Sequence, residues 1–320
     1  MLVTRREILS GRLQGSKATD VHISFGIGAG YVRCMGVLIT SIIMNNPSLG
    51  LEFHVFTDGI FDEDRQRLEQ LVNAHAAHLN IYYLDADAFP ELPVSDYLTK
   101  ETCYRIIIPK FLWGTVKKIL HLDADLICLG NISGLLDVDL TGFTLAAVPD
   151  VKKVAAEKID QLQLHQKQYF NAGVLYIDVE KWNEKDISSL AMKIMMDSLG
   201  THSLYDQDAL NIALDGQVVF LGDQWNVVYD MGQMNHNIPS DTRFLHYTGM
   251  VKPWKKTGRH RLSNFYRDFE KQSFWHNASL LEPSGYKEME IFARLSLKAG
   301  DFWVALFWYG KYIAEKIRRF

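Results

Sequence analysis

Across the first 85 residues, apolar strand-like runs alternate with helix-spaced segments through short connections, and this pattern limits the fold more than any other feature. Residues 21–27, 51–57 and 79–84 read as strands, and residues 32–44 carry helical spacing. Residues 62–75 form an amphipathic pattern with Leu68, Leu71 and Val72 on one face. Such alternation predicts an α/β fold with a Rossmann-like, doubly wound, mainly parallel sheet. In open sheets of this kind ligands bind beyond the carboxyl ends of the strands, so the residues that follow each strand carry the search for chemistry.

With 320 residues and 48% hydrophobic content, the chain suits one large α/β domain with an appendage, or two modest domains. A net charge of −4 gives no support to generic nucleic-acid binding. Cys34, Cys103 and Cys128 are widely spaced and lack a CxxC pair, which fits a reducing cytosol better than a disulfide framework or structural zinc. Residues 1–20 are polar, with Arg5, Arg6, Arg12 and Lys17, and read as an extension without the apolar run of a signal peptide. No stretch reaches the roughly 20 apolar residues of a membrane span, so the expected location is inside the cell.

After a loop rich in Pro90, Pro93 and Ser95, residues 102–113 read as a helix bent or stopped near Pro109. Residues 117–122 form the strand that delivers Asp123 and Asp125. Strands are expected at 144–148 and 172–177, and helices at 154–168, 179–199 and 207–214. Asp123 and Asp125 stand at i and i+2, so in extended backbone they share a face. Two carboxylates there repel unless a cation lies between them, and oxygen ligands favour Mn²⁺ or Mg²⁺ over zinc. Leu84-Asp85-Ala86-Asp87 repeats Leu122-Asp123-Ala124-Asp125 letter for letter, however, also after a strand. Spacing alone does not separate the two copies.

His246-Tyr247-Thr248-Gly249-Met250-Val251-Lys252-Pro253-Trp254 supplies an imidazole, a glycine that lets backbone approach a phosphate, and a lysine that neutralises one. Asn171-Ala172-Gly173-Val174 follows Tyr169-Phe170 into a strand and is either a sugar-binding edge or an ordinary turn. Asp206-Gln207-Asp208 opens a helix, where Asp206 is either a site carboxylate or an N-cap. Gly26-Ile27-Gly28-Ala29-Gly30 resembles a dinucleotide loop, but G-x-G-x-x-G requires glycine where Tyr31 stands, so an NAD enzyme is disfavoured.

The last segment changes character. Phe302, Trp303, Leu306, Phe307, Gly310, Ile313 and Ile317 recur at helical spacing, with Trp308, Tyr309 and Tyr312 adding aromatic surface. Lys311, Lys316, Arg318 and Arg319 give this end positive charge. The combination suits an interfacial helix on an anionic membrane, and the alternative is a helix packed on the core with a solvated basic end.

Taken in order, the 122–125, 169–174, 206–208 and 246–254 motifs resemble those of the retaining glycosyltransferases of family 8, above all the bacterial lipopolysaccharide core glucosyl- and galactosyltransferases. The resemblance runs from about residue 21 to 254. It implies a GT-A catalytic domain over 21–262, a C-terminal helical region over 263–320, a UDP-sugar donor and Mn²⁺ or Mg²⁺. It places the metal on Asp123, Asp125 and His246. It assigns Gly26, Ile27, Tyr31, Arg105, Ala124, Asp150, Asn171, Ala172, Gly249 and Lys252 to the nucleotide sugar, and Gln207 and Asp206, with Asp123 and Asp125, to catalysis. The family places an aspartate and an asparagine after the first strand, where uridine binds, and here Gly28 and Gly30 stand in those places. The implied activity is α-hexosyl transfer from UDP-glucose or UDP-galactose to a lipopolysaccharide core sugar, by a protein peripheral on the cytoplasmic face of the inner membrane. Alternatives are a catalytically weak nucleotide-sugar-binding protein and a family 8 enzyme with a soluble acceptor.

Overall fold

Buried β-branched and aromatic runs build a central eight-stranded sheet. It comprises β1 (Val3–Ser10), β2 (Val21–Ile27), β3 (Leu51–Thr57), β4 (His78–Leu84), β5 (Lys118–Leu122), β7 (Leu145–Pro149), β8 (Phe170–Asp178) and β9 (Val218–Phe220), in the order β1-β4-β3-β2-β5-β8-β7-β9. The computed structural model describes residues 3–11, 19–85, 100–198, 205–230, 238–258 and 260–318. β4, β3, β2 and β5 run parallel, as the alternating pattern predicts, whereas β8 is antiparallel to both β5 and β7. β6 (Leu126–Cys128), β10 (Val227–Asp230) and β11 (Phe244–Thr248) form a separate three-stranded sheet.

Side chains of the central strands alternate between two apolar cores, one on each face of the large sheet. Phe53 and Val55 on β3, with Leu120 and Leu122 on β5, pack in one core with helix α1 (Val32–Asn45) and helix α2 (Asp62–His75). Phe56, Ile119, Leu175 and Ile177 point the other way, into a core shared with α3 (Tyr104–Leu112), α5 (Val179–Glu184), α6 (Ile187–Asp197) and α7 (Asp206–Ala213). α4 (Lys152–Leu162) lies outside these cores and buries no residue completely. α1 is buried almost all round because α8 (Ser263–Gln272) covers it as well. A Cβ on Gly36 would lie 2.1 Å from the Trp275 ring, so only glycine lets that indole close onto α1. Arg33 then bonds Glu270 at 2.9 Å and the Ser279 carbonyl at 2.6 Å, which ties α1 to α8 and the segment after it.

Some expectations need correction. Residues 3–10 are an edge strand of the sheet, paired antiparallel with β4, although the sequence reads as an extension. Its exposed Thr4, Arg5 and Arg6 give the pattern of a charged edge strand, which hides the apolar alternation. The helix expected over 179–199 is two helices, because Asp186 adopts a left-handed conformation (φ 47°) between them. The helix expected over 154–168 starts two residues earlier and stops at Leu162, where Gln163 turns left-handed. α9 (Tyr286–Lys298) and α10 (Phe302–Arg318) form a helical pair, and Trp308 of α10 packs edge-to-face on Phe292 of α9 at 5.5 Å. One face of α10 is therefore packed, while Phe302, Trp303, Leu306, Phe307, Ile313 and Ile317 stay exposed.

Candidate active site

The apolar strand β5 ends at Leu122, and the Asp123 N–H continues its pairing by donating to the Gly173 carbonyl of β8 at 2.9 Å. The chain then turns and enters β6, whose antiparallel register with β11 sets Leu126 opposite His246. The Tyr247 N–H donates to the Asp125 carbonyl at 2.9 Å, so backbone pairing alone carries the histidine to the carboxylates. His246 Nε2 lies 3.0 Å from Asp125 Oδ1 and 3.9 Å from Asp123 Oδ2. All three offer a ligand atom within 4.8 Å of one another.

The electrostatics of the two carboxylates differ. Burial raises the Asp123 carboxyl above its ordinary value; Arg105 opposes this, and the Asp125 charge adds to it. Burial also works against Asp125, but Lys252 and His246 outweigh it and hold that carboxyl well below the usual range. Lys252 Nζ donates to Asp125 Oδ2 at 2.7 Å and to the Tyr247 carbonyl at 2.5 Å. Two carboxylates and an imidazole, one carboxylate incompletely compensated, are a donor set that fits a hard divalent cation such as Mn²⁺ or Mg²⁺.

His246 is held from behind. Its Nδ1 lies 3.2 Å from Asn226 Oδ1, an acceptor for a proton on Nδ1, so Nε2 is the ring nitrogen turned toward the carboxylates and the one a metal would take. Asn226 Nδ2 donates to Asn171 Oδ1 at 2.8 Å, and Asn171 Oδ1 also accepts from the Gly173 N–H at 3.0 Å. A Cβ on Gly173 would lie 2.3 Å from His246 Cε1, so the ring rests directly on that glycine. Asn226 escaped the sequence reading because it follows a short turn with no recognisable motif. Gly173 was visible within its motif but had no role attached.

Arg105 occupies the centre of the constellation. It pairs with Asp123 Oδ1 at 2.9 Å and Asp206 Oδ2 at 3.0 Å, and donates to the Ala172 carbonyl at 2.8 Å. Asp206 is therefore not an N-cap: Tyr205 occupies that position, and Asp206 is the first helical residue of α7. Burial raises the Asp206 carboxyl above its ordinary value, Asp123 adds to the rise and Arg105 limits it. Gln207 Oε1 accepts from the Ala172 N–H at 2.9 Å, while its Nε2 donates to Asp150 Oδ2 at 2.8 Å and to the Tyr169 hydroxyl at 3.0 Å. Asn171 Nδ2 reaches the same Asp150 oxygen at 3.4 Å.

A cavity of about 910 Å³ opens at this end of the sheet. Arg105, Asp123, Ala124, Asp125, Gly249 and Lys252 form one part of its wall, and Gly26, Ile27 and Tyr31 another. Gly249 has φ +76°, a left-handed conformation that glycine adopts without strain. His246, Asp150, Asn171, Ala172, Asp206 and Gln207 are joined to that wall by the bonds just described. Glu101, which carried no signal in the sequence, also lines the cavity, and its Oε1 would lie 3.0 Å from a Cβ on Gly28. Asp85, by contrast, follows β4, with β3 and β2 between it and β5. Ala86 and Asp87 of that repeat lie outside the described residues.

A family model described as Glycosyl transferase family 8 matches residues 22–258. Lipopolysaccharide 1,2-glucosyltransferase of Escherichia coli (strain K12) is 30% identical over 270 residues, 81% of this chain and 80% of that protein. Lipopolysaccharide 1,3-galactosyltransferase of Salmonella typhimurium is 28% identical over 315 residues, 95% of this chain and 94% of that protein. Among solved structures, the galactosyltransferase LgtC in complex with donor and acceptor sugar analogs aligns with a TM-score of 0.69 at 21% identity, over 79% of this chain and 96% of that one. The bifunctional glycosyltransferase WbbM aligns with the same TM-score at 22% identity, over 88% of this chain and 53% of that one. The doubly wound sheet is thus the GT-A fold, and the chain belongs to glycosyl transferase family 8.

Proposed function

We propose that this glycosyltransferase moves an α-hexose, glucose or galactose, from a UDP-sugar to a sugar of the lipopolysaccharide core, with retention at the anomeric carbon. The observation that carries the reading is the meeting of Asp123, Asp125 and His246 with Lys252 and Arg105 beside one cavity at the carboxyl ends of the strands. Relatives named as lipopolysaccharide glucosyl- and galactosyltransferases, matched over most of their length, support the acceptor class. The catalytic unit is assigned to residues 21–262, and residues 263–320 to a C-terminal helical region whose α8 packs on α1 and whose α10 is the part proposed to meet the membrane.

Asp123, Asp125 and His246 would hold Mn²⁺ or Mg²⁺, which when bound supplies positive charge to the departing diphosphate. Lys252 adds a second cation at the same place, and Gly249 lets backbone approach the phosphates. Gly26, Ile27 and Tyr31 flank the nucleotide, and Arg105, with Asp150, Asn171 and Asp206, borders the sugar. The bond from the anomeric carbon to the phosphate oxygen breaks as the acceptor hydroxyl adds from the same face. A leaving phosphate oxygen takes the acceptor proton. Gln207, held by three hydrogen bonds, faces the oxocarbenium-like centre with a rigid amide rather than attacking it.

The test is a donor screen with Mn²⁺ and purified truncated core oligosaccharide, with the product linkage read by NMR. The expected result is metal-dependent transfer from UDP-glucose or UDP-galactose with α configuration. Hydrolysis without transfer to core would reassign the acceptor to a soluble sugar. Absence of metal-dependent UDP release by well-folded protein would leave only nucleotide-sugar binding.

A further inference from the structure

We infer that His22, Glu52 and His54 form a second cation site, one suited to zinc, on the adjacent strands β2 and β3, set back from the strand ends that carry the catalytic cluster. The three side chains share one face of β2 and β3, where His22 is in register with Glu52 and Ser24 with His54. His22 Nδ1 lies 3.0 Å from His54 Nε2 and 4.0 Å from Glu52 Oε2, and His54 Nε2 lies 3.9 Å from Glu52 Oε1. Tetrahedral zinc, with ligands at ~2.0–2.1 Å, needs donor atoms about 3.3 Å apart; the two imidazole nitrogens stand close to that spacing, and the Glu52 carboxylate, which offers a different oxygen to each ring at 3.9–4.0 Å, has to move in by less than about 1 Å.

The surrounding bonds point the donor atoms inward. His54 Nδ1 faces the Tyr82 hydroxyl at 3.3 Å, and a proton on Nδ1 leaves the Nε2 lone pair toward the other two groups. Glu52 Oε2 accepts from Thr19 at 2.9 Å and Oε1 accepts from Asn80 Nδ2 at 2.9 Å. Arg6 donates to Asn80 Oδ1 at 2.8 Å, which fixes the amide so that its NH₂ group meets Glu52. His54 is buried, but the His22 and Glu52 side chains are 25% and 19% exposed, which leaves an entry and a position for a bound water. Two imidazoles and one carboxylate are a nitrogen-rich set that suits zinc and other borderline divalent metals, unlike the oxygen-rich set at Asp123 and Asp125. By strand register, His22 lies four residues, about 13 Å, short of Asp123 along the sheet.

The test is a Co²⁺ titration of chelator-stripped full-length protein, followed by Zn²⁺ competition. A tetrahedral centre gives strong visible absorption, whereas six-coordinate Co²⁺ gives weak bands. The strong bands should persist in the Asp123→Asn/Asp125→Asn double variant and be lost in His22→Gln. Tyr82→Phe, which removes a single hydroxyl and spares the fold, should weaken zinc binding about 10–100-fold. If wild-type protein gives only weak bands, the histidines simply share a hydrogen bond and the inference is overturned. It is equally overturned if the strong bands vanish with the catalytic carboxylates, or if zinc affinity is unchanged in Tyr82→Phe.

Discussion

The ring of His246 lies on the backbone of Gly173, with room for no side chain between them: a Cβ there would stand 2.3 Å from Cε1 and 2.6 Å from Nδ1. Because His246 is buried and bonded to Asn226, the ring cannot swing away freely. Gly173→Ala should therefore push the imidazole off Asp123 and Asp125. The expected outcome is a loss of stability of about 1–3 kcal/mol from overpacking and a Mn²⁺ affinity at least tenfold lower. Thermal melts with and without Mn²⁺ check it. An unchanged metal-induced shift would mean the ring does not serve the metal.

Asn226 acts on the same ring without steric contact of that kind. Asn226→Ala removes the acceptor at His246 Nδ1, frees the tautomer and leaves the Asn171 carbonyl one donor short. Metal affinity should fall about 10–100-fold with little change in donor affinity at saturating Mn²⁺. Activity measured against Mn²⁺ concentration separates this from a general loss of folding.

The two motif carboxylates should respond unequally when the protein is metal-free. Asp123 is raised by burial and crowded by Asp125, and the Arg105 guanidinium that pairs with it keeps Asp206 as a second partner, so Asp123→Asn should cost less than about 1 kcal/mol. Asp125 is depressed because Lys252 and His246 overcome its burial, so Asp125→Asn leaves a buried ammonium without its partner and should cost about 3 kcal/mol. Both should abolish metal-dependent transfer. The sign with pH follows. A depressed carboxyl contributes stability above its unfolded value and loses it as pH falls toward the folded value. The deficit of Asp125→Asn should be full at neutral pH and shrink below about pH 4. Denaturant midpoints across pH 3–7 measure it, and a deficit that grows in acid would refute the assignment.

The parallel half of the sheet was legible because β2, β3 and β4 are apolar and separated by short helical links. The edge strand β1 was not, since its exposed arginines and threonine mask the alternation. At the site, Asp123, Asp125 and His246 were legible through residue type and motif order. Their neighbours were not. Asn226 and Glu101 reach the site through the pairing of β10 with β11 and the short turn before α3, contacts that no local spacing encodes. The split of Asp206 toward Arg105 rather than the helix terminus is likewise tertiary: a carboxylate at that point serves either use, and a buried guanidinium decides between them.

Glu101 bears on the part of the cavity proposed to hold the nucleotide. Gly28 stands where the family pattern has a carboxylate, and the Glu101 carboxylate reaches into the space beside it. Glu101→Ala should raise the donor KM by about 1–3 kcal/mol in binding terms, roughly 5–150-fold, with kcat nearly unchanged. Gly28→Asp should not improve binding, because its Cβ would already stand 3.0 Å from Glu101 Oε1. UDP titration by calorimetry, comparing Glu101→Ala with wild type, gives the answer: equal affinities would remove Glu101 from the nucleotide site.

The tail supports a prediction about location. No helix among the described residues is long and apolar enough to cross a membrane. α10 nevertheless exposes Trp303 (84%), Phe302 and Leu306 on the side not packed against α9, with Lys311, Lys316 and Arg318 nearby. Lys311 Nζ sits 4.7 Å from the Phe307 ring centre, so cation and aromatic surface share one patch. An in-plane helix of this kind gains from apolar insertion and from anionic headgroups together. Trp303→Ser/Leu306→Ser should weaken binding to vesicles containing phosphatidylglycerol at least tenfold, and raised salt should weaken the wild type as well. Donor hydrolysis in solution should be unaffected, because neither residue lines the cavity at Asp123. Equal sedimentation of wild type and variant with those vesicles would show that α10 is not the membrane contact.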